Sequence, residues 1–327
     1  MSRNSSSAGM APEADLTVTP SPARLAATLR PRPVCAAVSN TFIQEHTTFS
    51  PVQNDTNHVH LRQVWDAGAT ATGAWLSLRD PWASEAISSM DFDYVCIDMQ
   101  HGLSDISDVF AQLQAMNGKS PTPIVRVPWN EPGIIGRVLD MGAMGVIIPM
   151  VNSKEEAEAA VAACRYAPAG RRSMGPIVPS QRYGGSYFAN ANDNVICIPM
   201  IETGTAVSRI DEILSVPGID AIYVGPADLS ITLGLAPGFD NADERFTGAI
   251  ETIIDGCRRH NIVPGIHSAV PLAQKRHEQG FRMITVSADH SALVAGMRGE
   301  SGKAREAVTG GGSGTPASAA KRDPYSA

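Results

Sequence analysis

The sequence predicts an α/β protein whose residues 61–298 form a single (β/α)₈ barrel, and two observations in its 327 residues lead to this prediction. Eight short, β-branched apolar runs alternate with longer amphipathic stretches rich in Ala and Glu. The apolar runs lack the polar alternation of a half-exposed sheet, which is typical of parallel strands covered on both faces. Eight such units in about 240 residues match a (β/α)₈ or TIM barrel. A doubly wound sheet is the alternative, but no Gly-x-Gly-x-x-Gly motif opens a helix after the first strand.

Each strand is predicted from an apolar run that Gly, Pro or Asp bounds. In chain order the predicted strands are Gly73–Leu78, Tyr94–Asp98, Pro123–Val127, Gly145–Pro149, Val195–Ile201, Ala221–Val224, Ile262–Ile266 and Met283–Ser287. The helix candidates between them include Ile134–Met141, Ser153–Arg165, Thr205–Leu214 and Asp243–His260. The second of these helices begins with Ser-Lys-Glu-Glu, a capping box that favours a helix start.

The two ends of the chain differ in composition from the predicted barrel. Residues 1–60 are dominated by Ser, Pro, Thr, Asn and Ala without apolar periodicity, which predicts a disordered N-terminal leader. Residues 299–327 contain the run Gly-Gly-Gly-Ser-Gly after Thr309, which predicts a flexible C-terminal tail. We therefore expect one barrel domain between two flexible tails.

Composition and charge exclude several classes of function. Lys plus Arg number 26 and Asp plus Glu number 33, so the net charge is −7, and no basic block is present to bind nucleic acid. No run of about 18 apolar residues predicts a membrane span. The first 20 residues lack the apolar core of a signal peptide, and the five cysteines show no zinc-like or CxxC spacing. These features predict a cytoplasmic protein with reduced thiols.

Polar residues stand at the carboxyl ends of several predicted strands, where barrel enzymes carry their catalytic groups. Asp98 ends the second strand and His101 follows it; Arg126 lies near the end of the third. Glu202 ends the fifth strand, and the sixth is followed by Gly225-Pro-Ala-Asp228. His267 ends the seventh and is a weaker candidate. Each residue also has a structural interpretation, as a helix cap, an ion-pair partner or a packed rim residue.

The combination of these groups predicts chemistry on a small 2-oxo acid. Two neighbouring carboxylates, Glu202 and Asp228, repel unless a proton or cation lies between them, and their oxygens suit Mg²⁺ or Mn²⁺. A cation that binds the carboxylate and keto oxygens of a 2-oxo acid stabilises an enolate at the neighbouring carbon. Arg126 needs an anion in a barrel mouth, and Asp98 at that spacing can orient the His101 imidazole. Because no Lys lies at a strand end, a Schiff-base aldolase is disfavoured.

Five segments resemble the HpcH/HpaI aldolase family in order and spacing. They are Phe92-Asp-Tyr-Val-Cys-Ile-Asp-Met-Gln-His-Gly, Pro123-Ile-Val-Arg-Val-Pro-Trp-Asn, Arg165-Tyr-Ala-Pro-Ala-Gly-Arg-Arg-Ser, Pro199-Met-Ile-Glu-Thr and Tyr223-Val-Gly-Pro-Ala-Asp-Leu-Ser. The resemblance implies a class II pyruvate aldolase that cleaves a 4-hydroxy-2-oxo acid to pyruvate and an aldehyde through a metal-bound pyruvate enolate. It also implies a divalent metal ion (Mg²⁺, Mn²⁺ or Co²⁺) and a homo-oligomer, a hexamer built from dimers whose subunits exchange terminal helices.

The resemblance also implies a role for each candidate residue. Glu202 and Asp228 would ligate the metal, and Arg126 would bind the keto oxygen and steady the enolate. His101, oriented by Asp98, would move protons through water. The turn that begins at Gly225 would hold the pyruvate carboxylate with the amides of Ala227 and Asp228.

This sequence departs from the family pattern at two positions. Gln100 stands where relatives often have Glu before the histidine, and Met200 stands where many have Gln two residues before the metal Glu. Met200 cannot donate a hydrogen bond to a metal-bound water, so the tuning of the site is expected to differ. A CoA-ester lyase of the citrate lyase β type remains an alternative, although no basic cluster for CoA phosphates is evident. A non-catalytic metabolite-binding barrel is the other alternative.

Overall fold

The computed structural model describes residues 60–309, which form a closed barrel of eight parallel strands. The strands are β1 (Ala71–Leu76), β2 (Tyr94–Asp98), β3 (Thr122–Arg126), β4 (Gly145–Ile148), β5 (Ile196–Ile201), β6 (Ala221–Val224), β7 (Val263–His267) and β8 (Met283–Ala288). Each strand pairs with the next in sequence, and β8 pairs with β1 to close the barrel. The predicted (β/α)₈ architecture is therefore confirmed, with strand ends that shift by at most two residues.

Helices follow the strands and cover the outside of the barrel. They are α1 (His60–Asp66), α2 (Pro81–Ile87), α3 (Ile106–Ala115), α4 (Pro132–Asp140), α5 (Lys154–Cys164), α6 (Ile177–Tyr183), α7 (Tyr187–Asn194), α8 (Gly204–Ser208), α9 (Ile210–Leu214), α10 (Pro226–Thr232), α11 (Glu244–His260), α12 (Ala273–Gln279) and α13 (Asp289–Thr309). None of the helices in this part of the chain is both long and apolar enough to cross a membrane.

The strand residues are buried because the strands face apolar side chains on both sides. On β2, Tyr94 and Cys96 belong to the cluster that fills the barrel interior, while Val95 and Ile97 belong to the layer between strands and helices. This alternation follows from the two-residue period of a strand. It explains why the strand sequences read as continuous apolar runs.

Two predictions about helices need correction. The single helix expected at Thr205–Leu214 is two short helices, α8 and α9, because the backbone of Arg209 between them has φ −112° and ψ 19°. The flexible tail expected at residues 299–327 is helical over its first part, since α13 continues to Thr309. The helix-favouring residues Glu, Lys, Ala and Arg between 300 and 307 offset the cost of the glycines, and the Gly-rich run starts only at residue 310. The predicted leader, residues 1–60, and the rest of the tail lie outside the described residues apart from His60.

Candidate active site

A cavity of about 690 Å³ opens at the carboxyl ends of the strands, where the active sites of (β/α)₈ barrels gather. Its volume is in the range typical of small-molecule sites. All but one of the predicted site residues line this cavity. Those that line it are Asp98, His101, Arg126, Gly225, Ala227, Asp228 and the weaker candidate His267. The exception is Glu202, which is buried directly behind the wall at Gly225. The fold thus brings the predicted residues together from different strands of the barrel.

Arg126 is fixed in the cavity by a bidentate ion pair with Asp98. The register of β2 against β3 places the two residues side by side. Nε of Arg126 donates to Oδ1 of Asp98 at 2.8 Å, and Nη2 donates to Oδ2 at 2.6 Å. Trp75 on β1 completes the arrangement, because its indole N–H donates to Oδ2 at 3.1 Å and its ring centroid lies 4.9 Å from the guanidinium carbon. Nη1 of Arg126 has no hydrogen-bond partner within residues 60–309 and remains available to a ligand.

Electrostatics keep both members of this pair charged. Burial alone would raise the pKa of Asp98, but the hydrogen bonds and charge of Arg126 outweigh burial and hold that pKa below its ordinary value. Burial would likewise lower the pKa of Arg126, and Asp98 more than compensates for it. The cavity therefore contains a permanent, oriented cation.

Asp98 contacts the main chain of His101 rather than its ring. Oδ1 of Asp98 accepts hydrogen bonds from the backbone N–H groups of Gln100 at 3.0 Å and His101 at 3.3 Å. The sequence predicts that Asp98 orients the His101 imidazole; among the described residues this carboxylate instead fixes the backbone, because Arg126 occupies both of its oxygens. The His101 side chain is exposed at the cavity wall, where it can reach a substrate through water.

Glu202 follows the end of β5, and its carboxylate is enclosed. Oε1 accepts a 2.7 Å hydrogen bond from the backbone N–H of Met150, a residue with the left-handed φ of 57°. A Cβ at Gly225 would lie 2.6 Å from Oε2 of Glu202, so only glycine permits this close approach. Burial raises the pKa of Glu202 to about 7; the Met150 N–H opposes that shift, the charge of Asp228 adds to it and Arg126 opposes it.

Asp228 and Ala227 lie in the first turn of α10, directly after β6. Pro226 begins the helix, and the N–H groups of a first helical turn have no acceptor within their own helix. Both residues line the cavity. The turn thus presents backbone N–H donors and one carboxylate to the same space.

The pair of carboxylates has the chemistry of a divalent-cation site. The charge of Asp228 acts unfavourably on ionised Glu202, and a cation between them would remove that repulsion. No group of three or more His, Cys, Asp or Glu side chains gathers to hold a metal within the described part of the chain. A divalent cation held by Glu202 and Asp228 alone would take its remaining ligands from water and substrate, as Mg²⁺ commonly does.

His267, at the end of β7, lies in the same cavity and is surrounded by rings. Its ring centroid is 4.9 Å from that of Trp75 and 5.4 Å from that of Phe239. Nδ1 lies 3.4 Å from the hydroxyl oxygen of Tyr223. Burial, together with the charge of Arg126 and against the opposing charge of Asp98, lowers the pKa of His267 to about 4, so the imidazole is neutral near pH 7.

Sequence reasoning missed Trp75 and Tyr223, although both line the site. Trp75 is the residue that ties Asp98 and Arg126 together, and Tyr223 contacts His267. A polar-tipped aromatic residue within a strand is a usable signal, because a buried Trp or Tyr normally needs a hydrogen-bond partner. Apolar periodicity conceals that signal, since it counts both residues as core.

A protein-family model described as HpcH/HpaI aldolase/citrate lyase matches residues 71–295 of this chain. A hydroxypyruvate/pyruvate aldolase from Rhizorhabdus wittichii is 38% identical over 239 residues, which cover 73% of this chain and 95% of that protein. A 4-hydroxy-2-oxo-heptane-1,7-dioate aldolase from Salmonella paratyphi C is 37% identical over 240 residues, covering 72% and 90%.

The fold has close counterparts among solved structures. The crystal structure of an HpcH/HpaI aldolase/citrate lyase family protein from Burkholderia cenocepacia is 31% identical to this chain, with a TM-score of 0.70. That similarity covers 75% of this chain and 98% of the Burkholderia chain. The residues that the family model matches, 71–295, include all eight strands of the barrel that carries the cavity.

Proposed function

The chain belongs to the HpcH/HpaI aldolase/citrate lyase family and is an aldolase, a carbon–carbon lyase, and we propose that it cleaves a 4-hydroxy-2-oxo acid to pyruvate and an aldehyde. The observation that carries the proposal is the fixed guanidinium of Arg126 in a cavity that also holds the carboxylate of Asp228, with Glu202 behind Gly225. A 2-oxo acid offers a carboxylate and a keto oxygen to these groups. The names of two relatives, a hydroxypyruvate/pyruvate aldolase and a heptanedioate aldolase, support the same substrate class.

We propose that Glu202 and Asp228 hold a divalent cation, with Mg²⁺, Mn²⁺ and Co²⁺ as the candidates. When bound, such a cation supplies Lewis-acid chemistry by withdrawing electron density from the carboxylate and keto oxygens of the substrate. The donor set supports this assignment, because it consists of hard oxygens and leaves room for other ligands.

The residues of this chain have separate tasks in the cleavage. The backbone N–H groups of Ala227 and Asp228 bind the substrate carboxylate beside Gly225. His101, acting through water, accepts the proton of the C4 hydroxyl. The C3–C4 bond then breaks, C4 becomes the aldehyde carbon, and the electron pair forms the enolate of pyruvate. Nη1 of Arg126 donates to the enolate oxygen as its negative charge grows. The proton that His101 accepted returns through water to C3, which completes pyruvate and regenerates His101.

Asp98 and Trp75 act in this scheme by positioning Arg126. A guanidinium that is bound on one edge by a carboxylate and on one face by an indole ring cannot rotate away from the cavity. It needs no reorganisation when charge develops on the substrate, which is the physical basis of electrostatic stabilisation of a transition state.

Metal dependence provides the direct test of this function. Pyruvate release from a panel of 4-hydroxy-2-oxo acids is measured by a coupled assay after EDTA treatment and after addition of Mg²⁺, Mn²⁺ or Co²⁺. We expect EDTA to abolish activity, a divalent ion to restore it, and Asp228→Asn to resist restoration. Full activity in EDTA, or covalent trapping of pyruvate on the protein by borohydride, would contradict the proposal.

We also propose that the chain acts as a homo-oligomer in the cytoplasm. The exposed apolar side chains Leu293, Val294 and Met297 on α13 support self-association. The described cysteines are buried free thiols, which suit a reducing compartment. The acidic charge of −7 gives no support for nucleic acid as a partner, and we expect only the 2-oxo acid and the aldehyde as small-molecule partners.

A further inference from the structure

Part of the cavity wall lies beyond the groups assigned to the pyruvate half of the substrate. It follows the ends of β7 and β8 and carries imidazole and hydroxyl groups: His267, Ser268, Ser287, His290 and Ser291. Arg126 is the only Arg or Lys among the lining residues within 60–309, and it is already paired with Asp98. Among the described residues, this wall thus contributes hydroxyl and imidazole groups but no Arg or Lys.

The ring of His267 is held in one place by its neighbours. Strand register sets His267 beside Thr285 of β8. Trp75 meets the imidazole edge-on at 86°, and Phe239 packs against it with an interplanar angle of 52°. With two rings against it and Nδ1 near the hydroxyl of Tyr223, the imidazole presents its opposite edge, Nε2, to the cavity.

A chain of hydroxyl contacts favours one ring nitrogen of His267 as the site of the proton. The hydroxyls of Tyr94 and Thr285 are 2.8 Å apart, those of Thr285 and Tyr223 are 2.5 Å apart, and Tyr223 reaches Nδ1 of His267 at 3.4 Å. Three hydroxyl protons serve these three hydrogen bonds if Tyr94 donates to Thr285, Thr285 to Tyr223, and Tyr223 to Nδ1. A proton on Nδ1 would leave one fully buried hydroxyl without an acceptor among the described residues, at the cost of a lost hydrogen bond.

The tautomer of His267 with its proton on Nε2 is therefore favoured. Burial keeps the ring neutral near pH 7, so a single proton is placed by this chain of hydroxyls. Nε2 has no hydrogen-bond partner among residues 60–309 and is a donor directed into the substrate cavity. The neighbouring hydroxyl of Ser268 is buried and likewise lacks a partner in the described chain.

We propose that His267 determines specificity for the aldehyde half of the substrate by donating an Nε2–H hydrogen bond to a hydroxyl oxygen of a neutral hydroxyaldehyde. This proposal rests on the aldolase function proposed above. An aldehyde without that hydroxyl leaves the Nε2–H group unpaired once water is displaced, and sites built to bind a hydroxyl discriminate strongly against such analogues. An anionic semialdehyde would be expected to pair with Arg or Lys, and within residues 60–309 this wall has neither. Tyr223 is a positioning residue, because it acts only through His267.

The test uses pyruvate with two aldehydes that differ by one hydroxyl, glycolaldehyde and acetaldehyde. The measured quantity is the ratio of their kcat/KM values, in the holoenzyme with added metal ion. His267→Leu removes the donor and puts an apolar side chain of similar bulk in its place. His267→Gln retains an N–H donor at about the same distance from the backbone. His277→Leu is the matched control, because His277 is exposed beside Thr70, which precedes β1, at the opposite end of the barrel.

We expect His267→Leu to lower the glycolaldehyde preference by roughly tenfold, the usual effect of losing one neutral hydrogen bond. His267→Gln should recover most of it, and His277→Leu should keep the wild-type ratio. The ¹⁵N chemical shifts of His267 in the wild type should show a protonated Nε2 and an unprotonated Nδ1, whether or not the variants fold.

Three results would overturn the proposal. They are an unchanged ratio in His267→Leu, protonation of Nδ1 in the wild type, and a wild-type preference for succinic semialdehyde over glycolaldehyde. Decarboxylation of oxaloacetate passes through the same pyruvate enolate but involves no aldehyde. Its rate therefore tests only the groups that bind the pyruvate half of the substrate. A wild-type enzyme that releases pyruvate but shows one of these results contradicts only the role of His267, whereas a wild-type enzyme inactive in both reactions contradicts the aldolase function itself.

Discussion

At the residue scale, Arg126 has two roles to separate, because the same guanidinium neutralises the buried carboxylate of Asp98 and lines the cavity in which we propose that substrate binds. Its side chain and that of Asp98 are 10% and 3% exposed, so neither charge is well solvated. Removing one partner of such a pair typically costs about 3–5 kcal/mol of unfolding free energy. The effect of a substitution on folding must therefore be separated from its effect on catalysis.

Substitution of Arg126 by Lys separates the two effects. Lys preserves a charge for Asp98 but has no planar fork that can bind Asp98 with one edge and substrate with the other. We expect Arg126→Lys to fold and to lose roughly 10²-fold in kcat, and Arg126→Ala to lose both kcat and stability. Steady-state kinetics and urea denaturation measure the two quantities. A Lys variant with nearly wild-type kcat would show that the fork is not needed.

His267 gives the stability of the protein a predictable pH dependence. The pKa of His267 is about 4 in the folded state, through burial and Arg126 against the opposing charge of Asp98, and that of an unfolded histidine is about 6.5. Between these values unfolding takes up a proton, so the free energy of unfolding falls as the pH drops from about 6.5 to about 4.

Replacing the imidazole should remove this contribution. Between pH 7 and pH 5 we expect the wild type to lose about 2 kcal/mol more unfolding free energy than His267→Gln. Denaturant titrations at the two pH values measure the difference. Parallel losses in both proteins would mean that His267 is solvated and protonates normally in the folded state.

At the scale of single elements, Asp289 links the start of α13 to the loop after β1. Oδ1 accepts from the backbone N–H groups of Ser77 and His290, at 2.9 and 2.6 Å, and Oδ2 accepts from that of Leu78 at 2.9 Å. The carboxylate is buried, so water is not positioned to accept hydrogen bonds from these three N–H groups if the carboxylate is removed. Ser77 and His290 both line the cavity, so the link also shapes the site.

The consequence is a measurable coupling between α13 and substrate binding. Asp289→Ala should reduce the free energy of unfolding by about 1–3 kcal/mol, because buried N–H groups lose their acceptor. It should also raise KM for the aldehyde more than it lowers kcat, since the wall moves while Arg126 does not. Asp289→Asn keeps one acceptor oxygen, so its free energy of unfolding and its KM should lie between those of the wild type and those of Asp289→Ala. Wild-type KM in the Ala variant would show that α13 does not shape the cavity.

The elements also show which features of the fold could be predicted from sequence. The eight strands could be predicted from the sequence, because a strand that is buried on both faces has a continuous apolar sequence, as in Tyr94–Asp98. The partners of individual side chains could not be predicted. Asp98 pairs with Arg126 rather than with the ring of His101 because of the register of β2 against β3, which the sequence does not reveal. The break between α8 and α9 at Arg209 could not be predicted either, because the helical periodicity of the sequence continues through it while the backbone does not.

At the scale of the whole molecule, α13 has a large exposed surface. It is the longest described helix, 21 residues, and only Asp289 among them is buried. Leu293 and Met297 stand one turn apart and are 55% and 65% exposed. Most helical stability in proteins comes from packing an apolar face, so a helix of this length with an uncovered face indicates a partner surface. A second copy of the chain is the occupant we propose.

Assembly and its dependence on this face can be measured together. The hexamer implied by family resemblance should give a mass near six times 34.5 kDa by light scattering. Leu293→Lys combined with Met297→Lys should lower the mass, because the substitutions place charges in a buried apolar contact. Glu251→Lys combined with Thr252→Lys, on the exposed face of α11, is the matched control and should keep the mass. A wild-type mass of 34.5 kDa would contradict the proposal, as would an α13 variant that assembles normally, because α13 would then be a free helix that no subunit covers.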